Sequence, residues 1–195
     1  FEVNIAISKP AAGVTQTAYV VYDAQKPELL KHILMKRTDP SMLVFASTKQ
    51  TVKDLEKELR RKGLPARAIH SDLTQEERES VLLSFRTRQT RILVATDILS
   101  RGIDIDNIGL VLNYDVPGDA EDYVHRIGRT GRADAFGEAV TFVVPDDQVK
   151  FKKIEMLIQQ DVVKLPVAEN YGAVPEYNPV MKGNGKPRHG GNGGG

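Results

Sequence analysis

A chain of 195 residues, 41% hydrophobic and 27% charged, has the make-up of one globular domain with enough apolar mass for a real core. Its net charge of +1 does not announce nucleic acid, so any such partner has to be met by local patches. There is no cysteine, which excludes disulfides, thiolate metal sites and a cysteine nucleophile.

Residues 1–14, broken by Pro10 and Gly13, read as an entering linker. Phe1 opens no signal-peptide pattern and no long apolar run exists, so the expectation is a soluble, cytoplasmic chain with no membrane role, and without an initiator methionine a fragment of something longer. Thr15–Tyr22 is rich in β-branched residues and predicts a strand, and Lys26–Arg37 spaces Leu29, Leu30, Ile33 and Leu34 as a helix does. Ser41–Phe45 is a short, continuous apolar run, the mark of a strand buried on both faces. A helix over Val52–Arg61 ends at Gly63-Leu64-Pro65, and Ala66–Ile69 is the next strand. Thr74 and Glu77 have capping-box spacing for a helix that turns Val81, Leu82 and Phe85 inward. Arg91–Thr96 and Gly109–Asn113 are further apolar strands, and Asp119 can cap the helix that follows. Gly137–Val144 is the last strand and Gln148–Gln159 the last amphipathic helix.

Strand and helix alternate over short connections, which implies an α/β domain with a doubly wound, mostly parallel sheet and helices on both faces. That domain should span residues 15–166. From 167 to 195 glycine takes over beside Lys182, Lys186, Arg188 and His189, a composition that predicts a flexible basic tail.

The densest chemistry lies in Tyr123–Arg132, YVHRIGRTGR, where Arg126, Arg129 and Arg132 recur every third residue with Gly128 and Gly131 between them. Arginine carries a planar fork of donors that fits phosphate or carboxylate oxygens. The anion faced is either a ligand or the nearby Asp119, Glu121, Asp122 and Asp134, in which case the charges neutralise one another locally. In open parallel sheets ligands bind beyond the carboxyl ends of strands, which collects Ser47-Thr48-Lys49, His70-Ser71-Asp72, and Asp97 with Ser100, Arg101, Gly102 and Asp104. Hydroxyls, arginines and a glycine on one rim suit phosphate oxygens, although Thr48, Thr74 and Ser100, each taken alone, read first as helix caps or turn formers.

ATDILSRGIDI (Ala95–Ile105) followed by HRIGRTGR (His125–Arg132) resembles motifs V and VI of the DEAD-box RNA helicases. LVFASTK (Leu43–Lys49) is similar to their motif IV and HSDLTQEERESVLLSF (His70–Phe85) to motif IVa, and Asn113–Pro117 is also family-like. The resemblance covers roughly residues 15–165; Ser71 departs from it, since glycine is more usual there. No G-x-x-x-x-G-K-[ST] and no D-E-A-D run is present, so the chain resembles the second, C-terminal RecA-like domain, a P-loop-NTPase-type fold without the P-loop.

The resemblance implies that ATP and RNA lie between this domain and an N-terminal RecA-like domain of the same protein, which would hold the magnesium; no metal site is expected in this chain. Arg129 and Arg132 would reach the γ-phosphate of ATP, with Arg132 the arginine finger; Asp104, Arg126 and Gly102 would contribute to the nucleotide site. Thr48, Arg78, Thr96 and Gly102 would touch the RNA backbone without reading sequence, and Gln75, Arg101 and His125 would couple the two domains. No aromatic platform for bases is expected, because Phe45, Phe85 and Phe142 occupy core-type positions. This reading wants the guanidinium groups of 126–132 unpaired within their own domain. It implies an ATP-dependent RNA helicase and ATPase as the whole protein, inactive as this fragment, with a monomer and a bacterial source expected. The alternatives are a non-catalytic RecA-like scaffold that binds RNA or protein, or half of a DNA helicase; no G-x-G-x-x-G follows the first strand to suggest a dinucleotide enzyme.

Overall fold

The computed structural model describes residues 13–97, 105, 107–131 and 136–180. The elements in chain order are β1 (Val14–Val20), α1 (Lys26–Met35), β2 (Met42–Phe45), α2 (Lys49–Arg61), β3 (Ala66–Ile69), α3 (Gln75–Arg86), β4 (Ile92–Ala95), β5 (Leu110–Asn113), α4 (Ala120–Ile127), β6 (Gly137–Val143), α5 (Gln148–Ile158) and β7 (Val163–Lys164). The seven strands form one sheet in the order β3-β4-β2-β5-β6-β1-β7, parallel at each pairing.

β2, β4 and β5 are buried along their whole length, as continuous apolar strands with helices on both faces should be. Their side chains alternate between the layers. Met42, Val44, Ile92, Val94, Leu110 and Leu112 pack under α1 and α2 with Leu30, Leu34, Val52 and Leu59. On the opposite face Leu43, Phe45, Leu93 and Val111 meet Val81 and Phe85 of α3. Beside them Ala139 and Val143 meet Tyr123 and Ile127 of α4 and Phe151 and Ile154 of α5. The doubly wound α/β fold is thus as expected. Phe45, Phe85 and Phe142 are core residues, so none offers a stacking platform.

The chain does not leave the domain at 166. β7 pairs with β1 at Thr17 and Ala18, Val167 and Tyr171 pack on the α1 layer, and Tyr177 packs on the α5 layer. The segment is tied down by polar groups as well. Gln25 Nε2 donates to the carbonyls of Tyr171 and Ala173, both at 2.9 Å, and Gln148 holds Glu176 O at 2.6 Å and Asn178 N at 2.7 Å. Residues 167–178 therefore clasp the sheet edge, where composition predicts a free tail. Residues 1–12 of the expected linker and the glycine-rich residues 181–195 lie outside the described residues.

Candidate functional site

Connections from β1 and β2 run toward the β3 edge under α1 and α2, whereas those from β3, β5 and β6 run toward the β7 edge on the other face. The loops after the adjacent strands β2 and β5 therefore diverge, which places a crevice at their carboxyl ends.

Thr48 stands on the β2 side of this crevice. Its backbone is extended (φ −123°, ψ 149°) and its Oγ1 accepts from Thr51 N at 3.1 Å, so it is the N-cap of α2 while its side chain remains exposed. The next loop out, between β3 and α3, is closed by the expected capping box: Glu77 N donates to Thr74 Oγ1 (3.2 Å) and Thr74 N to Glu77 Oε2 (2.7 Å). Gln75, exposed at the start of α3, donates to Glu79 Oε1 at 3.0 Å, and Arg78 follows half-buried. The turn closes without a glycine at Ser71, which is not among the residues of positive φ. Asp72 ties it to α2 by accepting from Lys49 (3.0 Å) and Lys53, and these two ammonium groups hold its carboxyl down at about 2. Thr96, half-buried, and Asp97 follow β4.

Arg126 corrects the sequence reading. Expected to face a nucleotide, it is only 3% exposed, and its guanidinium is spent inside the domain. Nε and Nη2 grip both carboxylate oxygens of Asp97, and Nη1 donates to Asn113 Oδ1 (2.9 Å) and to the carbonyl of Asp115 (3.1 Å). The Phe45 ring lies beneath the guanidinium at 4.9 Å, and Asn113 Nδ2 passes the network on to Thr141 Oγ1 at 3.1 Å. The partner is Asp97, 29 residues away in sequence, rather than any of the acids beside the arginine run. As folded, Arg126 holds the roots of the β4 and β5 loops together.

Asp115 stands at the crevice in a place that motif spacing alone does not reveal. Its Oδ2 accepts from Ser47 N at 2.7 Å across the crevice, and its Oδ1 receives Lys26 Nζ at 2.7 Å. Lys26, with a side chain 3% exposed, also contacts Asp23 and lies 4.5 Å from the Tyr114 ring centre. Burial, then the Asp115 charge, drives the Tyr114 phenol far above its ordinary value.

α4 ends at Ile127 with Gly128 as its C-cap, and the chain turns at Gly131, whose φ is +69°. Between them the segment joins the lead-in of β5: Ile108 N donates to Arg129 O at 3.2 Å, and Thr130 Oγ1 donates to the Ile108 carbonyl. The run thus divides: the Arg126 guanidinium sits at the carboxyl end of β5, whereas the Arg129 backbone lies before its amino end. Arg129 is half-buried and His125 is exposed on α4. Arg101, Gly102, Asp104 and Arg132 lie outside the described residues. Among the described residues no cluster of His, Cys, Asp or Glu suits a metal ion, and no helix is long and apolar enough to cross a membrane. A shallow cavity of about 520 Å³, lined by Lys31, His32, Lys62, Asn170 and Tyr171 among others, lies on the outer flank of α1, away from the crevice.

A parallel sheet wound in both directions, with a polar network across the switch between β2 and β5, defines an α/β domain of the RecA-like kind. The helicase conserved C-terminal domain family matches residues 25–134, and the chain belongs to that family. Its fold is that of the C-terminal domain of the DEAD-box protein Dbp5, with 30% identity and a TM-score of 0.74 over 79% of this chain and 91% of that one. Saccharomyces cerevisiae Dbp5 bound to RNA and ADP BeF3 gives a TM-score of 0.75 at 28% identity, over 82% of this chain and 43% of that chain. Among curated proteins, the ATP-dependent RNA helicase DBP2 of Eremothecium gossypii is 41% identical over 97% of this chain and 34% of its own length. The chain spans about a third of the length of the curated relatives it matches. Those relatives are fungal, which overturns the expectation of a bacterial source.

Proposed function

We propose that this chain is the half of an ATP-dependent RNA helicase that closes over RNA and ATP held by a preceding RecA-like domain. The whole protein then acts as a monomer in the cytoplasm, with magnesium on the partner domain. The observation that carries the reading is the rim at the carboxyl ends of β2, β3 and β4, where Thr48 and Thr96 stand on the connections and Gln75 and Arg78 on the first turn of α3, all beside buried or multiply bonded groups. Hydroxyls and a guanidinium so placed suit sugar-phosphate oxygens and carry no base readout. Preference for RNA then rests on backbone shape and 2′-hydroxyl contacts. That the similar Dbp5 of Saccharomyces cerevisiae is bound to RNA and ADP BeF3 supports RNA and a nucleotide as the ligand classes.

Bound ATP supplies a phosphoryl group whose departing charge must be neutralised. The residues assigned to it are Arg129, Arg132, Asp104 and Gly102; Arg126 is reassigned from ligand contact to holding Asp97. Arg132 is the arginine finger, a role worth about 10³–10⁵ in rate in related phosphoryl transfers. In the complete protein Arg132→Ala should abolish RNA-stimulated hydrolysis while the melting temperature stays within about 2 °C of the parent, as loss of a ligand contact should. Unchanged turnover would remove Arg132 from the site. The 195-residue chain alone should hydrolyse no ATP and bind RNA weakly; turnover at the rate of the complete protein would refute the division of labour.

A further inference from the structure

The Asp115 side chain bridges the crevice between β2 and β5, and nothing in the motif pattern gives it a role. Ser47 N is the last backbone donor before Thr48, and its partner is the Asp115 carboxylate at 2.7 Å. That carboxylate is held in turn by Lys26, whose ammonium is buried with its side chain 3% exposed. The same residue's carbonyl accepts from Arg126, which grips Asp97 at the foot of the loop after β4. The roots of the connections after β2, β4 and β5 are thereby joined at Asp115. Three of its oxygens are used, each by a different element: α1, the β2–α2 turn and α4.

We propose that Asp115 is a positioning residue for nucleic-acid backbone binding: it fixes the β2–α2 turn so that the exposed Thr48 hydroxyl is presented in one place. The proposal rests on the assignment of RNA to this rim. Without Asp115, Ser47 N–H has no partner between Ala46, held by the Ala95 carbonyl, and Thr48, held by its cap on α2; the turn gains freedom there that RNA binding has to remove. The cost of that ordering appears as weaker RNA affinity, with no change in the chemistry at ATP.

The test uses the complete protein, a single-stranded RNA oligonucleotide and two paired substitutions that avoid leaving a buried charge alone. Lys26→Met with Asp115→Asn keeps an oxygen for Ser47 N; Lys26→Met with Asp115→Leu removes it. The asparagine pair should bind RNA within about twofold of the parent, whereas the leucine pair should bind about tenfold more weakly, the equivalent of one lost hydrogen bond. The leucine pair should raise the KM for RNA by the same factor and leave kcat at saturating RNA and the KM for ATP within about twofold. Equal affinity for the two pairs, or a loss confined to kcat, overturns the proposal. If the leucine pair fails to fold, Asp115→Glu serves instead, since it keeps charge beside Lys26 but displaces the oxygen from Ser47; unchanged RNA affinity there also overturns it. Thr48→Ala separates the two levels of inference. If it leaves RNA affinity intact, the assignment of RNA to this rim fails. If it weakens binding and the leucine pair adds its full loss on top, the rim stands and the positioning role falls.

Discussion

Removal of the Arg126 side chain leaves the Asp97 carboxylate beside Asn113 with its bidentate cation gone. Breaking a buried pair in this way is worth about 3 kcal/mol, at the low end of the usual range because Asp97 keeps 27% of its side chain in solvent. Arg126→Met should therefore lower Tm by roughly 6–12 °C, and Arg126→Lys should recover little, since an ammonium cannot span Asp97, Asn113 and the Asp115 carbonyl together. A melt within 2 °C of the parent would show that the network contributes nothing. Spacing along the chain made all three arginines look alike, because sequence displays charge but not which side of a helix meets a strand end. The partner of Arg126 lies across two connections, and only the packing of α4 on β6 and α5 brings it near. Asp72 is a more local case, read by pH. Lys49 and Lys53 hold its carboxyl at about 2 against an ordinary 3.8, so the pairing stabilises fully above that ordinary value and is lost as pH falls through about 2. An NMR titration of the folded chain should place the Asp72 midpoint there, and Lys53→Met should move it upward; a midpoint near 3.8 in the parent would mean that the lysines do not engage it.

At the scale of elements, β6 and the segment after α4 share one close approach. A Cβ built on Gly137 runs into Thr130 Oγ1 and lies 2.6 Å from Gly131 N, and one on Gly131 lies 2.5 Å from Val14 Cγ2. Gly137→Ala should thus cost about 1–3 kcal/mol, as overpacking does, and it should do so by displacing the 129–131 segment. Urea unfolding measures the loss, and RNA-stimulated ATPase in the complete protein should fall beyond it if Arg129 acts where proposed. An alanine variant with parental stability would mean that the two backbones separate freely. The strands were legible because β2, β4 and β5 need a whole helix-covered run of apolar residues. The caps at Thr74 and Asp119 were legible because they depend on neighbours three or fewer residues away. The start of α2 was not, since Lys49 and Gln50 face water and, with the half-buried Thr51, carry no apolar period. β7, two residues long, exists only because β1 offers an open edge, and no local pattern encodes that.

For the whole molecule, the question is where the domain ends. Composition places the boundary at Pro166, where glycine and polar residues begin to dominate, yet the next twelve residues carry specific attachments on both faces. Glu155, 2% exposed, anchors one side: its carboxylate accepts from Val162 N (2.8 Å), from Lys164 and from Tyr177 OH (2.8 Å). The Tyr177 ring meets Phe151 edge-on at 6.2 Å, with Lys164 Nζ 4.1 Å from the Tyr177 ring centre. On the other side Tyr171 meets His32 and Val167 joins the α1 layer. A chain ended at 166 keeps the β7 pairing and the Lys164 partner but exposes the surface under Val167, Tyr171 and Tyr177. With each half-buried, their apolar cover contributes about 3 kcal/mol and the Tyr177 hydrogen bond about 1.5–3 kcal/mol more, so Tm should fall by roughly 9–24 °C. Tyr177→Phe separates the two parts of the Tyr177 contribution. It keeps the ring on Phe151 and removes one donor from a buried carboxylate, which should cost about 1.5–3 kcal/mol. If the truncated chain melts with the parent, the clasp is an appendage and the compositional boundary was right. If the phenylalanine variant alone accounts for the whole loss, the hydrogen bond to Glu155, rather than the apolar cover, closes the sheet edge.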